Sequence, residues 1–238
     1  MACYTDDLAG IRGQIQDADC KFDAAHAVGS ACGFWFCDLD GILFQVKDRA
    51  KTQPVTKSSI PDLSIATNVC RASARYRVGW ALSTHMSHMA LFTSDVTRSL
   101  DFHTNALGGH LADRFAEIVS FTYGSHDSDH DLLPLLAGGE LGLRYTAWDT
   151  PGVKDFGRAN TQLRAAGYSD HWDPGRHVLG SNYFNYTLDG FGQWWEFSAR
   201  IDYIERNADW TIANFVDKDS LYLWGSDKPA YFFVNVEQ

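Results

Sequence analysis

The segment FNYTLDGFGQWWEF, residues 184–197, is an aromatic run, a Leu-Asp-Gly turn, and a second aromatic run that ends on a carboxylate. Aromatic side chains alternating with small or polar ones suit strands with one buried face, and Asp-Gly supplies the positive φ of a tight hairpin. The segment FWFCDLDGILFQVK, residues 34–47, has the same build. An amphipathic stretch of helical period precedes each hairpin: DDLAGIRGQIQDA at 6–18 and TPGVKDFGRANTQLRAAG at 150–167. The second of these predicts Thr150 as N-cap, Pro151 at the first helical position and Gly167 as the stop.

A third repeat lies between them. SHMALFTSD alternates as a strand, and DVTRSLDFHTNALGG reads as a helix opened by Asp95 and closed by Gly108. Phe115 to Tyr123 and Leu132 to Leu136 read as strands around a polar hairpin, GSHDSDHD. The chain therefore holds three strand–helix–strand–strand–strand units, at roughly 1–49, 84–138 and 142–202. Residues 50–83, with Pro54 and Pro61 early and Trp80 late, read as a linker. The tail, 203–238, carries Trp210, Trp224 and a final FFVNV strand, aromatics that argue for packing.

Composition narrows the partners. Of 238 residues, 45% are hydrophobic and 21% charged, which is ordinary globular usage and enough for a core without disulfides. A formal charge of -10 repels phosphate backbones and anionic membranes, and no basic patch offsets it, so neither nucleic acid nor membrane is an expected partner. Five cysteines without CxxC spacing read as free thiols in a reducing compartment. The start, MACYTDDLAG, lacks the features of a secretory signal, and no apolar run reaches the ~18 residues of a membrane span. The expectation is a cytoplasmic protein.

Repeated βαβββ units resemble the vicinal oxygen chelate superfamily of glyoxalases, bleomycin-resistance proteins and extradiol dioxygenases. SHMALFTSDVTRSLDFHTNALGG and GRHVLGSNYFNYTLDGFGQWWEFSARIDYI look like the first strand and helix, and the last three strands, of type I extradiol ring-cleaving dioxygenases. The implied fold class is α+β, with paired βαβββ units forming a cup-shaped sheet. On this scheme 1–49 is a partial N-terminal module and 84–202 a C-terminal module that carries the site. Such dioxygenases have four units in two modules, and the first has no counterpart here.

The resemblance implies an Fe(II) centre of two His and one carboxylate, with open positions for a catechol and O₂. His88 matches the first ligand and Glu196 the carboxylate; Trp194, Trp195 and Phe197 around Glu196 argue against a surface acid. The second His is absent: Tyr145 stands in its place, at the expected interval from Glu196. A phenol, with a pKa of about 10, suits a harder ferric ion, so this change argues against ordinary Fe(II) binding. His177 and Tyr186 match the family's substrate- and oxygen-handling residues. The family's acid–base His falls on Asp131, beside His130, which takes that role by a one-residue shift; a solvated hairpin containing His126 and His130 is the competing reading. Asn185 stands at a position often occupied by His, while His85, His103, His110 and His171 read as surface or packing residues.

Three functions follow from the resemblance. One is a ring-cleaving dioxygenase on a small catechol-like aromatic. Another is a metal-independent relative that isomerises, cyclises or dehydrates a phenolic or polyketide-like substrate by acid–base chemistry. The third is a non-catalytic binder of aromatic ligands. The unpartnered first unit also carries an expectation: Phe34, Phe36 and Leu43 would expose an apolar face. A homodimer joined through the N-terminal units would cover it, and so would the linker and tail.

Overall fold

The computed structural model describes residues 1–24, 32–49, 74–216 and 221–234. The first unit is β1 (Ala2–Thr5), α1 (Leu8–Asp17), β2 (Phe22–Asp23), β3 (Phe34–Cys37) and β4 (Leu43–Asp48), which form a sheet of order β1-β4-β3-β2. The second is β5 (His85–Thr93), α2 (Val96–Leu107), β6 (His110–Phe115), β7 (Val119–Tyr123), the short β8 (Ser128–Asp129) and β9 (Leu135–Ala137). The third is β10 (Gly142–Asp149), α3 (Val153–Ala165), β11 (His171–His177), β12 (Tyr183–Leu188) and β13 (Trp194–Ala199). The tail adds β14 (Tyr203–Ile204), β15 (Asn214–Phe215) and β16 (Tyr222–Trp224). Among the described residues no helix is long and apolar enough to cross a membrane.

The second and third units join in one ten-stranded sheet, β15-β6-β7-β9-β5-β10-β13-β12-β11-β16. Its seam is the antiparallel pair β5–β10, and on either side the order is the same: β5 pairs parallel with β9, as β10 does with β13. Outside the bulges that interrupt the β5–β10, β11–β12 and β6–β7 ladders, side chains alternate between two faces. One face gathers Ala90, Phe92, Tyr145, Ala147, Phe184, Tyr186 and Trp194 into a core. The opposite face meets the helices: Leu91 and Leu135 pack with Leu100, Phe102 and Ala106 of α2, and Phe197 and Ala199 pack with Phe156 and Ala159 of α3.

The first unit is not left exposed. Ile15, Phe34, Phe36, Phe44 and Val46 share one buried cluster with α2 and β5, and the rings of Phe36 and Phe102 lie 6.1 Å apart. The apolar face that motivated a dimer is thus covered within the chain, among the described residues by the second unit. A polar lock secures this docking. Asp40 accepts hydrogen bonds from Ser94 Oγ (2.6 Å), Arg98 Nη2 (2.8 Å), Ser99 Oγ (3.2 Å) and Thr93 Oγ1, which span the end of β5 and the first turn of α2. These donors hold the Asp40 carboxyl below its usual range against the opposing effect of desolvation.

Several sequence expectations need correction. The two hairpins correspond through Asp-x-x-Gly, not through Leu-Asp-Gly. Asp38 and Asp189 each accept from the amides two and four residues on, and Gly41 (φ +82) and Gly192 (φ +84) close the turns. The helix expected from Thr150 begins at Val153 with Gly152 as N-cap, because Thr150 still bonds Ser198 O through both its amide and its hydroxyl. The strand expected over Phe115 to Tyr123 is broken by a turn at 116–118, which divides β6 from β7. The terminal FFVNV strand is a turn over its described part, 232–234; its last two residues, like Cys70, Pro54, Pro61 and most of the linker, lie outside the described residues. The tail otherwise packs: β15 pairs with β6, β14 with β8, and β16 with β11.

His103 of α2 lies 3% exposed, its ring 5.7 Å from that of Phe44 at the junction of the first two units. Burial pushes its pKa from 6.5 down to about 4. The folded state prefers the neutral ring, so this stability is full above the unfolded pKa and is lost as pH falls through the folded one. Between pH 6.5 and 5 the loss amounts to about 2 kcal/mol. Chemical denaturation at both pH values should show it, and His103→Leu should flatten the difference; an equal slope in wild type and variant would refute it.

Candidate active site

A single cross-strand row crosses the seam. His88 on β5 faces Ala147 on β10, Ala147 faces Glu196 on β13, Glu196 faces Tyr186 on β12, and Tyr186 faces Trp172 on β11. Neighbours in such a row project from the same face. Ala147 is the small residue of the row, and over its methyl the longer side chains on either side meet: His88 Nε2 lies 3.3 Å from Glu196 Oε2. Tyr145, two residues before Ala147 on the same face, places its ring edge-on to His88 at 5.5 Å and perpendicular to Tyr186 at 5.2 Å.

Hydrogen bonds fix the tautomers and the carboxylate. His177 Nδ1 donates to Leu221 O (2.8 Å), which leaves Nε2 to accept from the Tyr186 hydroxyl (3.2 Å). Desolvation lowers the His177 pKa and keeps the ring neutral. Asn182 Nδ2 donates to Glu196 Oε1 (2.9 Å) and to Ser198 Oγ (3.1 Å). Burial alone would keep His88 neutral, but the Glu196 carboxylate beside it raises its pKa. Burial and the Glu196 charge push both Tyr145 and Tyr186 well above the usual phenol, so both remain un-ionised.

His130 sits elsewhere than a solvated hairpin. It is fully buried between two carboxylates: Nε2 bonds Asp113 Oδ2 (2.7 Å) and Nδ1 bonds Asp131 Oδ1. Against the desolvation penalty, these carboxylates push its pKa up to about 10. Both ring nitrogens are occupied, so His130 is held as a cation. Desolvation opposes the charged form of Asp131, but the His130 imidazolium bonded to it outweighs this and holds its carboxyl below the usual range. His126 is half-buried beside Ser125, and Asn185 is buried in β12.

The donors can be tested against a divalent ion. Two atoms bound to one cation at about 2.1–2.2 Å and near right angles lie roughly 3 Å apart, and the His88–Glu196 separation of 3.3 Å matches that span. Apart from its approach to His88, Glu196 Oε2 has no hydrogen-bond partner among the described residues. The third donor is a neutral phenol, and among the described residues no set of three or more His, Cys, Asp or Glu converges as a metal cage. The residues fit an ion held through two ligands. Sequence reasoning missed Asn182, Ala147 and Phe232; the last packs its ring 4.9 Å from Tyr186 and 4.7 Å from Trp172.

Residues 85–197 match the family model of the Glyoxalase/Bleomycin resistance protein/Dioxygenase superfamily. The chain is 41% identical over 237 residues to Metapyrocatechase 2 of Cupriavidus necator, an alignment that covers all of this chain and 74% of that protein. Its fold is similar to that of the Mn(II)-bound glyoxalase from Novosphingobium aromaticivorans (TM-score 0.73, 23% identity, 94% of this chain and 70% of that one). It is also similar to the fold of 2,2',3-trihydroxybiphenyl 1,2-dioxygenase from Sphingomonas wittichii strain RW1 (TM-score 0.71, 18% identity, 95% and 77%).

The clamped imidazolium carries its own expectation. His130→Leu leaves Asp113 and Asp131 buried without their counter-charge, and breaking a buried pair in this way costs about 3–5 kcal/mol. Urea denaturation at pH 7 reads the loss. A change below about 1 kcal/mol, the scale of exposed ion pairs, would show that His130 is no such clamp.

Proposed function

The chain belongs to the glyoxalase, bleomycin-resistance and dioxygenase superfamily, and from that footing we propose that it is an extradiol ring-cleaving dioxygenase for a small catechol-like aromatic. Its metal site is altered, with Tyr145 where a second imidazole is expected. The observation that carries this reading is the convergence of His88, Glu196, Tyr145, Tyr186 and His177 on one face of the seam, in a chain alike over its whole length to a metapyrocatechase.

His88 and Glu196 would hold a divalent ion, Fe(II) in this reading, which supplies Lewis-acid polarisation of the bound oxygens. The chain's own groups do the rest. Asn182 aims the carboxylate by fixing Oε1, leaving Oε2 toward His88. The neutral hydroxyls of Tyr145 and Tyr186 donate to oxygen as it gains negative charge. His177 Nε2, already paired with Tyr186, takes a proton that arrives through that hydroxyl. Trp172, Trp194 and Phe232 pack around these groups and would exclude water and offer aromatic faces to a planar ring.

One observation favours a second reading. His88 and Glu196 already form an imidazole–carboxylate pair, and a neutral phenol stands beside them, a set competent for metal-independent acid–base chemistry on a phenolic substrate.

Metal analysis of anaerobically purified protein, followed by its spectrum with catechol, separates the readings. Stoichiometric iron and a yellow ring-opened product support the dioxygenase; turnover in chelator supports the acid–base enzyme; binding without turnover supports neither. Restoring an imidazole with Tyr145→His should tighten Fe(II) binding by about tenfold or more, in line with the sensitivity of tuned ligand shells. Tight iron in wild type that weakens in the variant would refute the altered site.

A further inference from the structure

Arg144 takes no part in the chemistry above, yet it is 1% exposed and next to it. The β5–β10 ladder slips by one residue between Leu143 and Tyr145, so Arg144 is the extra residue of a bulge. A bulge re-aims the side chain it adds, and here the guanidinium enters the same core face as Tyr145. Its carbon lies 4.3 Å from the ring centre of Phe232, 5.6 Å from those of Phe92 and Tyr145, and 5.9 Å from those of Trp194 and Phe233. Nη2 donates to Phe232 O, while among the described residues Nε and Nη1 have no hydrogen-bond partner. No carboxylate pairs with it among the described residues.

This arrangement is costly for packing alone. Burial lowers the Arg144 pKa only to about 10, so the group stays charged at neutral pH. A buried cation with unmet donors costs several kcal/mol, and an apolar side chain of similar size would fill an aromatic cage without that penalty. The deficit disappears when an anion meets the free donors, and a planar guanidinium is matched above all to a carboxylate.

We propose that Arg144 is the anchor for a carboxylate carried by the aromatic substrate, so that the site selects anionic aromatics over neutral ones. The proposal rests on the aromatic-substrate reading above and adds its charge. The guanidinium carbon lies 5.6 Å from the ring centre of Tyr145, so an aromatic substrate bound beside Tyr145 would bring a carboxylate substituent within its reach, and the surrounding rings of Phe92, Trp194 and Phe232 would keep that contact dry, where a charge-assisted bond is strongest.

The test is anaerobic titration calorimetry with catechol and 3,4-dihydroxybenzoate, and with benzamide and benzoate, none of which requires turnover. In wild type each carboxylate should bind about 10–100-fold tighter than its neutral counterpart, the worth of a hydrogen-bonded charge. Arg144→Met should erase that preference and leave catechol binding intact, while Arg144→Lys should keep part of it. Equal affinities in wild type, or a preference that survives in both variants, would overturn the assignment even if the ring-cleavage assay succeeds. A preference in wild type with no ring cleavage would leave Arg144 standing and remove the dioxygenase. Should the Met variant fail to fold, the wild-type preference and its weakening in the Lys variant decide the matter.

Discussion

Everything in this chain hangs on the antiparallel pairing of β5 with β10. Among the described residues it is the ladder that joins the second and third units within the large sheet, and it sets two equivalent strands side by side in opposite directions. Each strand brings the fourth residue of its own run to the seam, His88 from one and Tyr145 from the other. A register slip of one residue would turn both to the helix-covered face. The pairing also explains why a methyl stands between His88 and Glu196. Any larger side chain at Ala147 would occupy the space in which imidazole and carboxylate meet.

The two faces of the sheet divide the work. The outer face is ordinary packing, in which α2 and α3 cover aliphatic and aromatic rows. The docking of the first unit belongs to that face, where Asp40 adds orientation to an otherwise non-directional contact. The inner face holds the costly groups: a paired carboxylate, two un-ionised phenols, a neutral His and a cation in an aromatic cage. Buried polar groups that are expensive for folding and adjacent to one another are what a site requires and a core avoids.

Much of this was legible in the residues. The resemblance put Tyr145 and Glu196 at equivalent strand positions, and the structure sets them on one face of the sheet, because strand period and hairpin length constrain where side chains can meet. Turn chemistry was read one step off: Leu-Asp-Gly marked the hairpins correctly, but in the first of them that Asp serves the docking contact while Asp38 makes the turn. The polar stretch 124–131 misled for a physical reason, since His130 is buried only because Asp113, distant in sequence, meets it. Arg144 and Asn182 were invisible for the same kind of reason. A bulge and a loop contact depend on a partner strand, and no local pattern announces them.

The tail's two short end strands have one more consequence. Without β15 and β16, the sheet would finish on β6 and β11, six and seven residues long, each with a row of open backbone donors and acceptors. Such rims recruit strands from other molecules. Two residues of β15 at one end and three of β16 at the other shorten what is offered, and both come from the segment that carries Phe232 into the inner face. The same stretch of chain that packs Phe232 against Tyr186 therefore also shortens the edges that the sheet offers to strand pairing.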